Sequence, residues 1–276
     1  MTIVEQQDLR KAWDAIAAGY DRFVTPSHMW LGHEAATRAG VGPGQRFLDV
    51  AAGSGALAIP AARLGARVLA TDLSPAMVER LAERAREEQL EGFECRVMDG
   101  HDLELESNTF DVAGSQFGVM LFPDLPRALA EMTRVTKPGG RVLLVVFGPP
   151  TQVEFLGFFV GAIQAVVPGF TGLPLDPPPL PFQVAAPEKL HAALAGAGLR
   201  EIGVDHLTER LELGSGSELW DWVTNSNPIG VGLVADLTEA QRAEVRTVLD
   251  ELLRERSGGT GPAVLTSSIL IGIGSK

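Results

Sequence analysis

The chain has 276 residues, 45% of them hydrophobic, which suits one generous α/β domain or one domain plus an insertion. Its formal net charge of −12, with no compensating Lys/Arg cluster, makes nucleic acid a poor partner, because phosphate binding needs a basic face. One cysteine, Cys95, excludes an internal disulfide, and no uncharged apolar run reaches about 18 residues, so no membrane span is expected. The opening residues lack the charged and apolar regions of a signal peptide, and the expected location is cytoplasmic.

Residues 5–20 alternate charged and apolar positions at helical spacing and predict a short helix ending at Gly19-Tyr20-Asp21. A loop with Pro26, His28, Met29 and Trp30 follows, then a helix over 33–40 closed by Gly40. A regular alternation comes next: strand 46–50, helix 55–64, strand 67–71 and helix 75–89, with Ser74 as N-cap and Pro75 at its first position. Strands 93–98 and 110–116 lead to helix 124–136, capped by Asp124. The turn Lys137-Pro138-Gly139-Gly140 precedes strand 141–147. Five near-continuous apolar strands alternating with helices imply a buried, mostly parallel sheet covered on both faces.

The rhythm breaks at Pro149-Pro150. Residues 152–167 predict an apolar helix, and "PGFTGLPLDPPPLPF" is too proline-rich for helix or strand. Helix 187–196 and strand 199–213 resume the pattern, residues 217–256 read as two helical pieces broken near Asn227-Pro228, and "AVLTSSILIGIG" is a final strand. The expected organisation is a helical cap over 1–45, a core over 46–150, a lid insertion over 151–186, and the rest of the core over 187–276 with a helical insertion at about 214–260.

The stretch Phe47 to Ala58, "FLDVAAGSGALA", is a strand, a glycine turn and a helix start. Without side chains at Gly53 and Gly55 a ligand can approach the backbone, and the amides opening the next helix point at it. Gly53-x-Gly55-x-x-Ala58 fits a loose dinucleotide fingerprint, so the turn alone does not choose a cofactor. Asp72 ends the second strand nineteen residues after Gly53, where a carboxylate can accept both hydroxyls of a ribose; an ordinary helix-preceding cap is the alternative. Asp99 ends the third strand at the same rim, where it could meet an adenine amino group with Gly100 leaving room for the ring, or be a solvated turn carboxylate. Strand 110–116 ends there in Ser115-Gln116.

These stretches together resemble class I S-adenosylmethionine-dependent methyltransferases, nearest to the ubiquinone/menaquinone-biosynthesis branch of small-molecule enzymes. The resemblance rests on "AWDAIAAGYD", "FLDVAAGSGALA", "VLATDLSPAMVERL", "CRVMDGHDL", "FDVAGSQFGVMLFPD" and "RVTKPGGRVLLVVF", and covers about residues 11–147. One departure is Ala51, where the family pattern often has the first of three glycines. The resemblance implies a doubly wound, Rossmann-like, seven-stranded α/β sheet with an antiparallel last strand and helical lids. It implies S-adenosyl-L-methionine as cofactor, leaving S-adenosyl-L-homocysteine. Carried onto this chain, Ala51, Gly53 and Ser54 would meet the methionine moiety, and Asp49 would order the loop and the cofactor's amino group. Asp72 would hold the ribose, with Leu73 and Met77 beside the adenine. Asp99 and Gly100 would meet the adenine edge, with His101 near. Gln116 and Phe117 would lie by the methionine end, and Tyr20 would close the site or simply pack.

Methyl transfer by in-line displacement needs positioning, exclusion of water and, for a hydroxyl or acidic carbon, a base. Of the histidines, His28 is the candidate base, in a segment that covers the site in this family; a capping or surface role is the alternative. His191 is expected at the surface and His206, mid-strand, as a packed or edge histidine. His28 with His33-Glu34 lacks a third ligand, so no metal is expected. Phe155, Phe158, Phe159, Phe170 and Phe182 would wall an acceptor lid, and Trp220, Trp222 and Asn225 a second wall. An apolar lid suits a small neutral acceptor such as a phenol, quinol, polyketide or terpenoid, held by a monomer or homodimer. The competing readings are an NAD(P)-dependent oxidoreductase, or a non-methylating catalyst such as a cyclase that keeps the cofactor.

Overall fold

The computed structural model describes residues 3–172 and 178–276. Helix α1 (Ile3–Gly19) runs into a π-helical turn, Tyr20–Val24, and α2 (Thr25–Arg38) continues from it. The loop expected around His28 is therefore helical. Pro26 sits in the first turn, where a missing N–H breaks no ladder bond, and Thr25, His28, Leu31 and Gly32 face inward.

The alternation then follows as β1 (Arg46–Val50), α3 (Ala58–Arg63), β2 (Arg67–Asp72), α4 (Pro75–Glu87), β3 (Phe93–Val97), β4 (Phe110–Gln116), α5 (Leu125–Val135) and β5 (Thr136–Phe147). Ser74 Oγ accepts from Met77 N at 3.1 Å, and Asp124 Oδ1 from Arg127 N at 3.1 Å, so both expected caps form. Helix α3 starts later than expected, because Gly53 and Gly55 have φ of 53° and 105°. The expected turn at Lys137–Gly140 is absorbed into β5, with a register shift opposite Phe110–Val112. Strand β3 is not apolar throughout as expected: it is the sheet's edge, has no fully buried residue, and leaves Val97 47% exposed.

Beyond Pro149 come α6 (Glu154–Val166), α7 (Pro187–Gly196), β6 (Arg200–Leu213), α8 (Gly216–Ser226), α9 (Pro228–Leu233), α10 (Glu239–Arg256) and β7 (Ala263–Ser275). Residues 173–177 of the proline-rich stretch lie outside the described residues; Leu180–Phe182 forms one 3₁₀ turn. The region expected as two helical pieces is three, since Asn227 Oδ1 caps α9 at Ile229 N (2.9 Å) and a Thr238–Gln241 capping box starts α10.

The seven strands lie in the order β3-β2-β1-β4-β5-β7-β6, with β7 antiparallel to both neighbours. Connections after β1, β2 and β4 therefore gather at one carboxyl rim, where such sheets bind ligands. Strand β6 outruns β5: β5 pairs with β7 only as far as Phe147–Ile269, whereas β6 continues to Leu213–Ala263. This ribbon carries a second apolar core, under α6, α8 and α10, separate from the core that sandwiches the sheet. Among the described residues no helix is long and apolar enough to cross a membrane.

Candidate active site

The glycine turn after β1 is bent by backbone in the left-handed region at Ala51 (φ 55°), Gly53 and Gly55. At Gly55 a Cβ would fall 2.4 Å from Leu81 Cδ1, so glycine is needed for space as well as for φ. Asp72 shapes the same turn: its carboxylate accepts from Gly53 N at 2.8 Å and Ser74 N at 2.9 Å. Burial raises the Asp72 pKa to about 6 despite these two donors. Asp49 lies fully buried beneath the turn, and the Ala58 N–H approaches its carboxylate too loosely to make a hydrogen bond, so neither oxygen has a partner. Burial, then the nearby Asp72 charge, hold its pKa well above the carboxylate range; the Ala58 N–H offsets this only in part.

A cavity of about 760 Å³ opens over this turn. Its wall includes Tyr20, Ala51, Gly53, Asp72, Leu73 and Met77 on one side, and Asp99, Gly100, His101, Gln116 and Phe117 on the other. Thus the rim brings together all but two of the residues expected to hold a cofactor. Asp49 lies below the surface, and Ser54 is turned away, its Oγ 2.6 Å from Thr25 Oγ1. Asp99 Oδ1 accepts from His101 N and meets His101 Nδ1, each at 2.9 Å, while the imidazole stacks on Phe122 at 4.5 Å. Gly100 leaves room for that phenyl ring, since a Cβ there would fall 2.6 Å from Phe122 Cε2. Tyr20 reaches over the turn, 3.3 Å from where a Gly53 Cβ would stand, and burial, then Asp72 and Asp49, hold its hydroxyl protonated far above its ordinary range.

Sequence reasoning missed Leu9, Trp13, Met98 and Phe122 in this wall. Trp13 sits in the quoted "AWDAIAAGYD", beside Asp14. Asp14 Oδ1 accepts from Ser74 Oγ at 2.5 Å and from Ala76 N at 3.2 Å, which docks α1 on the start of α4.

A second cavity of about 770 Å³ adjoins the first. Trp13, Tyr20, Phe117 and Leu121 line both, so these four side chains form a shared partition. Phe117 is held at φ 55°, stacked on Phe147 at 4.5 Å and 5.0 Å from the His28 ring. Such strain in a non-glycine residue persists only where its surroundings enforce it, as at ligand sites. Of the expected lid aromatics, Phe155, Phe182 and Trp222 line this cavity. Phe159 and Trp220 instead face each other in the core at 5.6 Å, and Phe158 and Phe170 pack at its edge. Asn225 is not in the wall; its amide fills the space beside Gly19, and Ser226 and Asn227 line the cavity instead.

His28 is buried in this wall, so neither the surface nor the capping alternative holds. Its Nε2 lies 2.7 Å from Oε1 of Glu209, a residue the sequence did not single out. His33 and His191 are exposed, and His206 Nε2 meets Ser268 Oγ at 2.7 Å.

Residues 48–144 match the family described as "Methyltransferase domain". Demethylmenaquinone methyltransferase of Streptomyces griseus is 30% identical over 170 residues, 59% of this chain and 71% of that protein. An uncharacterized protein of Mycobacterium tuberculosis is 36% identical over 149 residues, 54% of this chain and 52% of that one, so the chain spans about half the length of that relative. Among solved structures, YcgJ of Bacillus subtilis has a TM-score of 0.56 at 18% identity, covering 90% of this chain and 97% of that chain. The [4+2]-cyclase SpnF has a TM-score of 0.53 at 20% identity, covering 90% and 80%. At such identities the likeness shows the fold alone. Strand order, motif order and the Streptomyces relative converge: the chain belongs to the class I S-adenosylmethionine-dependent methyltransferase family.

Proposed function

We propose that the protein binds S-adenosyl-L-methionine over the glycine turn and methylates a small, largely apolar acceptor held in the adjoining cavity. The observation that carries this reading is the shared partition: two cavities of about 760 and 770 Å³ meet at Trp13, Tyr20, Phe117 and Leu121.

The residues present fit the cofactor. A fully buried carboxylate without partners, Asp49 beneath the turn, is costly unless a cation stands near it, and the cofactor's ammonium is such a cation. Asp72 keeps lone pairs beyond those used by Gly53 and Ser74, enough to accept from ribose hydroxyls. Asp99 and His101 stand at the far end for the adenine edge, and Leu73 and Met77 flank it. Bound there, S-adenosyl-L-methionine supplies an electrophilic methyl group. Phe117, Tyr20 and Trp13 confine the acceptor against it and exclude water, and that restriction of freedom lowers the barrier.

A thermal-shift comparison tests this reading. S-adenosyl-L-homocysteine at a hundredfold excess over Kd should stabilise the protein by about 2.7 kcal/mol, and NADH should not. A response to NADH alone would reject it.

A further inference from the structure

Among the described side chains lining the acceptor cavity, Tyr20 and His28 are the titratable ones. His28 is 2% exposed and Glu209 3%, with 2.7 Å between Nε2 and Oε1. The contact is too bent to count as a hydrogen bond, and Nδ1 has no partner at all. Glu209 stands off the cavity, on the part of β6 that outruns β5 and pairs with Ser267 of β7. Packing alone gives no reason for a carboxylate in that apolar cluster, where burying one is costly. What it can do, by charge at 2.7 Å and without hydrogen-bond alignment, is favour the ring proton on Nε2 and leave Nδ1 as a base.

A second idle group lies in the same wall. Trp222 stands edge-on to His28, ring centroids 5.9 Å apart, and its Nε1–H is buried without an acceptor. Two other polar side chains of the wall are engaged: Ser226 Oγ donates to Val223 O, and Asn227 Oδ1 accepts from Ile229 N, each at 2.9 Å. Among the described residues of the wall, His28 Nδ1 and Trp222 Nε1 are thus a buried acceptor and a buried donor without partners.

We infer that the acceptor is an unsaturated molecule bearing an acidic hydroxyl, phenolic or enolic, beside a carbonyl, and that it is methylated on the hydroxyl oxygen. This rests on the methyltransferase reading. The acceptor's O–H bond breaks and its proton passes to His28 Nδ1. The oxygen lone pair forms the new bond to the methyl carbon, and the electrons of the old carbon–sulfur bond stay on sulfur. The imidazolium, stabilised by Glu209, then returns its proton to water. Trp222 Nε1–H binds the carbonyl oxygen. His28 is a catalytic residue here and Glu209 a positioning residue. Around His28, β6 presents Glu209, the π-helical turn Tyr20, α8 Trp222 and the loop after β4 Phe117.

The test uses 1-hydroxy-2-acetonaphthone, 1-naphthol and 1-naphthylamine as probes, with methyl-labelled S-adenosyl-L-methionine. The label should appear on oxygen, fastest with the hydroxyketone and not with the amine. His28→Phe should lower kcat by ~10²–10⁴-fold with little change in KM. Glu209→Gln should lower kcat and move the acidic limb of the kcat–pH profile. Trp222→Phe should raise KM for the hydroxyketone but not for naphthol. The double variant His28→Phe/Glu209→Leu replaces the pair by apolar groups, which such sites often tolerate, so it should fold and stay inactive. Recovered turnover in that variant would mark the pair as structural and overturn the inference. Label on nitrogen or carbon, or no transfer to any probe by protein that binds S-adenosyl-L-homocysteine, would overturn it too. Failure of the unaltered protein to bind S-adenosyl-L-homocysteine would instead reject the methyltransferase reading.

Discussion

The two cavities have nearly the same volume and different construction. Around the glycine turn, backbone and carboxylates stand among the apolar side chains of the wall: Ala51 and Gly53 in the left-handed region, Asp72 bonded to two amides, and Asp49 without partners below. Across the partition the wall is the surface of a core. Phe155, Phe182 and Trp222 are all under 9% exposed and belong to the apolar cluster beneath α6, α8 and α10. Binding and stability should therefore separate in the first region and move together in the second.

The largest expected effect is in the second. Phe155→Ala should cost about 3–5 kcal/mol of stability in denaturant unfolding and weaken acceptor binding, while calorimetry finds affinity for S-adenosyl-L-homocysteine little changed. Asp49→Asn should do the reverse. It should weaken that affinity by about 2–3 kcal/mol, the worth of a hydrogen bond to a charged group, yet raise the unfolding temperature of the ligand-free protein above neutral pH, where folding must bury the ionised group or hold its proton against the ordinary carboxylate value. A lowered unfolding temperature would contradict the separation.

The pH dependence sharpens the same contrast. Asp72 titrates at about 6 when folded, against an ordinary 3.8. With the folded pKa raised, the folded state holds the extra proton between these values. Asp72 thus adds stability that is fully present below pH 3.8 and lost as pH rises through about 6. Asp49, raised for the same reason of burial, acts in the same direction. Ligand affinity should have the opposite sign, because the ionised carboxylate accepts the hydroxyls: about a tenfold loss by pH 5, read by calorimetry, removed in Asp72→Asn. The smallest effect is at Ala51. Replacing it with glycine should relieve the left-handed backbone by about 1 kcal/mol in thermal unfolding and leave ligand affinity unchanged.

The first region was legible because its chemistry is local. A strand, a glycine turn and a carboxylate at the next strand end lie within a short stretch, and each has a spacing that reveals it. The capping serine and aspartate, Ser74 and Asp124, were legible for the same reason. The second region was legible only in part: the sequence offered His28, Phe155, Phe182 and Trp222, but the key contact, which joins α2 to the protruding end of β6, was hidden. Neither His28 nor Glu209 carries a local pattern, and a helix entered through Pro26 reads as a loop. Trp222 was visible as one of two tryptophans on α8, but only packing shows that Trp222 faces the cavity while Trp220 faces Phe159.

The central claim is that carboxylates at the rim hold an adenosyl ligand while the neighbouring apolar cavity holds its acceptor. Calorimetric titration of S-adenosyl-L-homocysteine into the unaltered protein and into Asp72→Ala/Asp99→Ala tests it most directly. The account expects saturable binding in the first and at least a hundredfold weaker binding in the second, with both proteins folded. Equal affinity in the two would contradict it.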